Sequence, residues 1–332
     1  MKEQEQRELE RTPTVSIIIP AYKVANFIRE TIDSVLAQTF SDYEIILIND
    51  GSPDTDELER ALTPYQSSIV YVKQENRGAG AARNAGLMKA RGRHVAFLDG
   101  DDVWFPSFLG DQMRLIETDG GYDLVYADGL KFGNPMVAGH TSMEESPSEG
   151  RVTPTALISG QCTVLTSTVL ARKKLLHDVG MFDESFPNSQ DFDLWFRLVK
   201  DGHARVTYQR KCLVGRRMHS GSLASDAVKS LTGELSVLAK IGSRSDLTEE
   251  ERAVLEETIQ KRRATIKMIE GKRSLVNGDY DCALQSFELA NRHFRRWKLR
   301  LLILGLHLAP QLIRLIYQRT ITGLQMMDLH LD

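Results

Sequence analysis

A chain of 332 residues can bury a sizeable core and leaves room for one large domain plus an appendage. Its 42 Lys and Arg against 45 Asp and Glu give a formal charge of −3, which carries no general nucleic-acid signal. Three widely spaced cysteines, Cys162, Cys212 and Cys282, suggest neither a disulfide framework nor a zinc ribbon, and a reducing compartment is the simpler reading.

Residues 1–13 are charged, lack the apolar centre of a secretory signal and read as a leader with no catalytic content. The run Val15-Ser-Ile-Ile-Ile19, ended by Pro20, reads as a strand buried on both faces and is followed by a helix over 25–38. A second such strand, Glu44 to Ile48, ends in Asn49-Asp50-Gly51-Ser52, and a helix over 54–62 follows. A third strand, 69–73, precedes the small-residue segment Arg77-Gly78-Ala79-Gly80 and a helix over 79–90. That segment is no dinucleotide fingerprint, because it follows the third strand rather than the first. Its small residues let the helix approach the sheet closely, with free N–H groups at its start.

The fourth strand, His94 to Leu98, delivers Asp99, Asp101 and Asp102 to one point. Carboxylates this close repel unless a cation sits among them, and their hard oxygens suit Mg²⁺ or Mn²⁺ with positions left for substrate phosphates. The alternative is a solvated turn in which Asp101 or Asp102 caps the helix after Pro106. Alternating strands and helices imply parallel pairing with right-handed crossovers, and ligands then bind outside the carboxyl ends of the strands. Tyr22, Asp50 and Asp99 to Asp102 would face one crevice. There Asp50 can accept a hydrogen bond from a base edge and Tyr22 can stack on a pyrimidine, or Asp50 can simply close an Asx-turn.

Four pieces in order, Pro20-Ala21-Tyr22, Asn49-Asp50-Gly51-Ser52, Asn76-Arg77-Gly78 with Ala82-Arg83-Asn84-Ala85-Gly86, and Asp99-Gly100-Asp101-Asp102, resemble the motifs of glycosyltransferase family 2. The resemblance covers roughly residues 14–225. It implies a GT-A fold, meaning a Rossmann-like α/β, mostly parallel sheet flanked by helices. It also implies a nucleotide-diphosphate sugar donor, a divalent metal and inversion at the anomeric carbon. By resemblance, Pro20, Ala21, Tyr22, Asp50, Asp99 and Gly100 belong to the donor site, and Asp50 matches the residue that accepts from the uracil imide, favouring UDP. Arg77 and Arg83 would lie near the base or diphosphate, or else pair with a sheet carboxylate.

Farther along, a helix over 107–118 and a strand over 123–127 continue the sheet, and 131–151 reads as a long loop that helps shape the acceptor side. Phe192, Trp195 and Phe196 recur at helical spacing, with Asp191 in the first turn, where the helix dipole favours a carboxylate in any case. The stretch resembles the family's Glu-Asp motif with Gln190 in place of Glu, which makes Asp191 the catalytic base. An inverting reaction needs one carboxylate on the sugar face opposite the leaving diphosphate. Val214-Gly-Arg216-Arg217-Met-His219-Ser220-Gly221-Ser222 reads as a Gly-containing loop. It resembles the loop that closes over the donor, with Arg216 and Arg217 on the diphosphate and His219 completing the metal shell of Asp101 and Asp102.

From residue 226 to 332 the chain turns helical and highly charged, with segments over 231–241, 247–275 and 283–293. Gly278-Asp-Tyr-Asp-Cys-Ala-Leu resembles half of a tetratricopeptide repeat, too little for an array, so a helical hairpin packed on the catalytic domain is expected, with protein binding as the alternative. Arg292, Arg295, Arg296, Lys298, Arg300, Arg314 and Arg319 have no acidic residue among them. They flank an apolar stretch that His307, Pro310 and Arg314 interrupt, unsuited to spanning a membrane but suited to lying on one with Trp297 as anchor. A helix pair or oligomer contact would use the same leucines.

The expectation is a metal-dependent inverting glycosyltransferase. It would act from the cytoplasm or the inner membrane face on a hydroxyl of a cell-envelope or exopolysaccharide acceptor, free or lipid-linked. The alternative is a non-catalytic nucleotide-binding or scaffold protein on the same fold, for which clustered unpaired carboxylates have no use.

Overall fold

The computed structural model describes residues 12–118, 121–135, 137–219 and 226–324. Most of the charged leader, up to residue 11, and the end of the His219 loop, Ser220 to Ser222, lie outside the described residues. The chain divides into two compact units, one up to Ser225 and one from Asp226 onward.

The first unit carries, among the described residues, an eight-stranded sheet. Its strands are β1 (Val15–Ala21), β2 (Tyr43–Asp50), β3 (Ile69–Gln74), β4 (His94–Phe97), β5 (Val103–Trp104), β6 (Leu124–Phe132), β7 (Leu170–Arg172) and β8 (Val206–Arg217), in the order β3-β2-β1-β4-β7-β6-β8-β5. The helices are α1 (Ile28–Leu36), α2 (Thr55–Leu62), α3 (Ala79–Lys89), α4 (Phe108–Ile116), α5 (Ser142–Glu145), α6 (Pro154–Ser159), α7 (Lys173–Asp178) and α8 (Gln190–Lys200). β1 runs parallel to β2 and β4, and β2 parallel to β3. The chain steps outward from β1 to β3 and then returns to the other side of β1, so the topological switch falls between β1 and β4. Because these strands are parallel and in register, with Ala21 beside Asn49 and Ile18 beside Phe97, their carboxyl ends open on one edge of the sheet.

Period-2 alternation splits the apolar runs between two faces. Ile17, Ile19, Ile45 and Leu47 pack against Ile28 and Ile32 of α1, Leu58 of α2 and Phe108 of α4. Ile18, Ile46, Ile48 and Phe97 pack against Ala82 and Leu87 of α3 and Leu194 and Trp195 of α8. Both faces are covered, which is why the sequence reads as continuous apolar runs. Gly86 is where α3 meets the sheet: a Cβ there would run into the Ile18 side chain.

Three expectations are corrected. The first helix begins at Ile28, not at 25, because the Phe27 and Ile28 N–H groups donate to the Val24 carbonyl (2.8 and 3.0 Å) and close a turn first. The long loop over 131–151 is partly ordered structure. β6 runs on to Phe132, and α5 starts at a capping box in which Thr141 and Glu144 satisfy each other's N–H groups. The first part of the segment read as an arginine-bearing loop, Val214 to Arg217, is the end of β8, which pairs parallel with β6 and antiparallel with β5. Exposed Arg210 and Lys211 interrupt its alternation, which hid the strand.

The second unit is helical: α9 (Ala227–Gly242), α10 (Glu249–Asn277), α11 (Tyr280–Phe294), α12 (Trp297–Leu308) and α13 (Pro310–Leu324). A Thr248–Glu251 capping box opens α10, Gly278 ends it in the left-handed conformation (φ 83°), and Asp279 caps α11. The resulting hairpin packs tightly, since a Cβ on Gly271 would lie 2.8 Å from the Phe287 ring. Leu275, Ala283, Phe287 and Ala290 form its core with Leu299 and Leu306 of α12. Among the described residues no helix is long and apolar enough to cross a membrane.

Candidate active site

The ends of β1 and β2 meet the loop before α3. Asp50 is buried, and its carboxylate accepts from the Gln74 side-chain amide (2.7 Å) and from the backbone N–H groups of Arg77 (3.0 Å) and Gly78 (2.8 Å). The Asx-type turn in this loop belongs to Asn49, whose Oδ1 accepts from the Ser52 N–H at 2.9 Å, and not to Asp50. Ser52 Oγ in turn accepts from the N–H of Lys23 (2.6 Å), which takes a left-handed φ of 58° just after β1. These bonds lock three chain segments together and leave the Tyr22 ring exposed at the sheet edge. Pro20 and Ala21 contribute backbone. The Pro20 carbonyl lies 2.9 Å from where a Cβ on Gly100 would sit, so the carboxylate turn can pass β1 only as glycine.

At the end of β4, Asp99 accepts from Arg83 at 2.6 Å, and the buried Arg83 guanidinium lies 5.6 Å from the centre of the Phe182 ring. Arg83 Nε is buried with no hydrogen-bond partner. Asp101 faces His219 Nε2 at 2.8 Å, and Asp102 accepts from the Arg217 N–H at 2.8 Å. Burial, and next the charge of Asp99, hold the Asp101 carboxyl above its usual range, with His219 opposing. Burial likewise raises Asp102, helped by the charges of Asp99 and Asp101 and opposed by a hydrogen bond from Ser167 and the charge of Arg216. The Thr31 hydroxyl braces the turn by donating to the carbonyls of Gly100 (3.0 Å) and Asp102 (2.8 Å). Arg217 donates to the Asp101 carbonyl (2.9 Å) and lies between the Phe27 and Phe132 rings (4.8 and 4.4 Å). Arg216 donates to Ser142 Oγ of α5 at 3.0 Å, so the region read as an acceptor loop touches this arginine.

Asp191 opens α8 after Ser189, which has a left-handed φ of 59°. Its carboxylate accepts from the Thr166 hydroxyl (2.9 Å) and from the N–H of Phe192 (2.9 Å). Gln190, in the place of the motif's Glu, is buried against Gly80 of α3, and its side-chain oxygen has no hydrogen-bond partner. The next residue after Thr166, Ser167, accepts from the Asp99 N–H at 3.2 Å. Two consecutive residues therefore hold the candidate base and the carboxylate cluster in one neighbourhood.

Sequence reading missed this link, since nothing in Thr166-Ser167 as a local pattern signals it. Glu184 was missed as well. It accepts from Arg77 (2.5 Å) and from the Asn84 amide (3.0 Å), tying the start of α3 to the segment before α8. Both arginines expected near the donor thus have carboxylate partners in this state.

Among the described residues, no three His, Cys, Asp or Glu side chains are gathered as a ready metal site. The donor chemistry still fits a hard divalent cation. Three carboxylates lie within four residues, two of them with raised pKa through burial and mutual repulsion, and an imidazole stands beside one. Asp101, Asp102 and His219 are the candidate ligands.

Residues 16–173 match the model of the family described as Glycosyl transferase family 2. The UDP-Glc:alpha-D-GlcNAc-diphosphoundecaprenol beta-1,3-glucosyltransferase WfaP of Escherichia coli is 31% identical over 236 residues, 70% of this chain and 88% of that protein. The chain spans 30% to 40% of the length of uncharacterized glycosyltransferases from three Rickettsia species that it also matches. The crystal structure of S. aureus TarS 1-349 in complex with UDP-GlcNAc superposes with a TM-score of 0.58 at 18% identity, over 93% of this chain and 92% of that one. Mannosyltransferase PcManGT from Pyrobaculum calidifontis, in complex with GDP-Man and Mn2+, gives 0.57 at 14% identity, over 99% and 94%. At such identities the two structures speak for the fold. The ordered strand-end motifs, the sheet topology and the match to WfaP together place this chain in glycosyl transferase family 2, with a GT-A fold.

Proposed function

We propose that the chain transfers a sugar from a UDP-sugar to a hydroxyl of a cell-envelope saccharide, free or lipid-linked, with inversion and with Mn²⁺ or Mg²⁺ as cofactor. The observation that supports this reading is the Thr166-Ser167 link, in which two consecutive residues bond the Asp191 carboxylate and the Asp99 N–H. UDP is favoured because WfaP is named for UDP-Glc and the TarS structure holds UDP-GlcNAc, while GDP, as in PcManGT, is the competing carrier.

Tyr22 offers its exposed ring to the base. Asp50 holds the Arg77 and Gly78 N–H groups inward and so sets the floor of the nucleotide site. Arg83 and Arg216 face the diphosphate, and Arg217 braces the Asp101-Asp102 turn. Asp191 takes the proton of the acceptor hydroxyl as that oxygen attacks the anomeric carbon, and the Thr166 hydroxyl aims the carboxylate. Asp101 and Asp102, with His219, would hold a divalent cation, which would supply neutralisation of the charge growing on the leaving diphosphate.

The test pairs titration of UDP and GDP, with Mn²⁺ and again with EDTA, with a transfer assay on Asp191→Asn. General-base loss predicts a fall of about 10²–10⁴-fold in transfer at unchanged UDP affinity. Full transfer by the variant overturns the base assignment, and a preference for GDP overturns the choice of carrier.

A further inference from the structure

The helical pair α12 and α13 divides its apolar residues between two faces. Leu299 and Leu306 are buried against Leu275, Phe287 and Ala290 of the hairpin, with Ile313 of α13 packed on the same core. Trp297, Leu301, Leu304 and Leu308 recur at intervals of four, three and four residues, one stripe of a helix, and each keeps more than half of its surface exposed. On α13, Leu312 and Leu315 are exposed as well, at 54% and 47%. An exposed apolar stripe of this length is far beyond the scattered single residues of an ordinary surface.

The charge of the segment says what covers it. Between residues 292 and 319 the sequence has seven Lys and Arg and no Asp or Glu, and six of those seven basic side chains are exposed. A second copy of the chain laid on the same face would bring like charge against like charge, whereas an anionic lipid surface complements the charge and takes up the leucines. Helices of 12 and 15 residues are about 18 and 22 Å long, too short to cross a bilayer core of about 30 Å, and this geometry suits helices lying in the interface with an indole at headgroup level.

We infer that the exposed face of α12 and α13 docks the protein in the plane of an anionic bilayer, with Trp297, Leu301, Leu304 and Leu308 inserted and the flanking arginines on the headgroups. This goes beyond the transfer reading and does not depend on it, because docking needs neither donor nor acceptor.

The test is flotation of the full chain with vesicles of phosphatidylcholine alone and of phosphatidylcholine with 30% phosphatidylglycerol, each at low salt and at 0.5 M NaCl. Binding is expected to the anionic vesicles only and to weaken steeply with salt. Arg292→Gln with Arg300→Gln should reduce binding about 30-fold, about 5-fold for each charge removed. Leu304→Asn with Leu308→Asn should reduce it by more than 10-fold. Both pairs alter exposed side chains, and unchanged thermal melts confirm that they fold. Absence of binding to anionic vesicles, or binding indifferent to both pairs, overturns the inference. A dimer in sedimentation velocity that the leucine pair dissolves, without vesicle binding, assigns the face to a second copy instead.

Discussion

Asp50→Asn separates two roles for the same carboxylate. Asparagine keeps the shape of the side chain but turns one acceptor into an NH₂ group. In the native protein three donors converge on the carboxylate, one on the Gln74 side chain and two on the backbone at Arg77 and Gly78. The amide oxygen can keep the donors on one side, while the NH₂ then opposes an N–H at 2.8 Å or is forced to rotate. A buried N–H left without acceptor costs about 1–3 kcal/mol, and the surviving bonds lose the extra strength that a charged acceptor confers. The loss is therefore about 2–4 kcal/mol, which for a unit of this size lowers Tm by about 5–15 °C. Differential scanning calorimetry with and without UDP reads it, the first unit's transition being followed by its response to nucleotide. If Asp50 serves chiefly as the base acceptor, the variant melts as the wild type does and loses only UDP affinity. A Tm within about 2 °C of wild type would refute the loop-anchoring argument.

Thr166→Val keeps the volume and removes the hydroxyl that donates to Asp191, so transfer should slow by about 2- to 10-fold with UDP affinity unchanged, read from kcat and titration. His94 is buried, and burial, then the charges of Arg93 and Arg172, push its pKa from 6.5 down to about 4, with a hydrogen bond to the Thr14 backbone opposing. The folded state thus holds the neutral ring and the unfolded state binds the proton, so stability is full above pH 6.5 and is lost as pH falls toward about 4. The loss at pH 5 is about 2 kcal/mol, and His94→Leu should abolish that component, measured as the difference in denaturation midpoints between pH 7 and pH 5. Gly86→Ala places a methyl against Ile18 where α3 rests on β1 and should destabilise the first unit by about 1–3 kcal/mol, seen as a lowered Tm.

Much of this protein is written in local patterns. The apolar runs ended by Pro20, Asp50 and Asp99 specify buried parallel strands, because only a sheet covered on both faces accommodates residues such as Ile17 and Ile18 side by side. Parallel strands deliver their ends to one edge, so it was legible from the alternation of strands and helices that the segments carrying Tyr22, Asp50 and Asp99 to Asp102 end strands on the same edge. Gly278-Asp279 likewise announces the break between α10 and α11 through its own backbone and capping chemistry. What a sequence pattern does not carry is pairing between distant segments. The Thr166-Ser167 link, the Glu184 contacts to Arg77 and Asn84, and the assignment of Arg217 to β8 beside Asp102 join residues far apart along the chain. Likewise, leucines that look alike in sequence separate into a buried set at Leu299 and Leu306 and an exposed set at Leu301, Leu304 and Leu308 only once α12 packs on its hairpin. Periodicity and turn chemistry are properties of a few consecutive residues and survive reading one at a time. Which carboxylate receives which donor, and which face of an apolar helix stays uncovered, depends on distances that exist only after the chain has closed on itself.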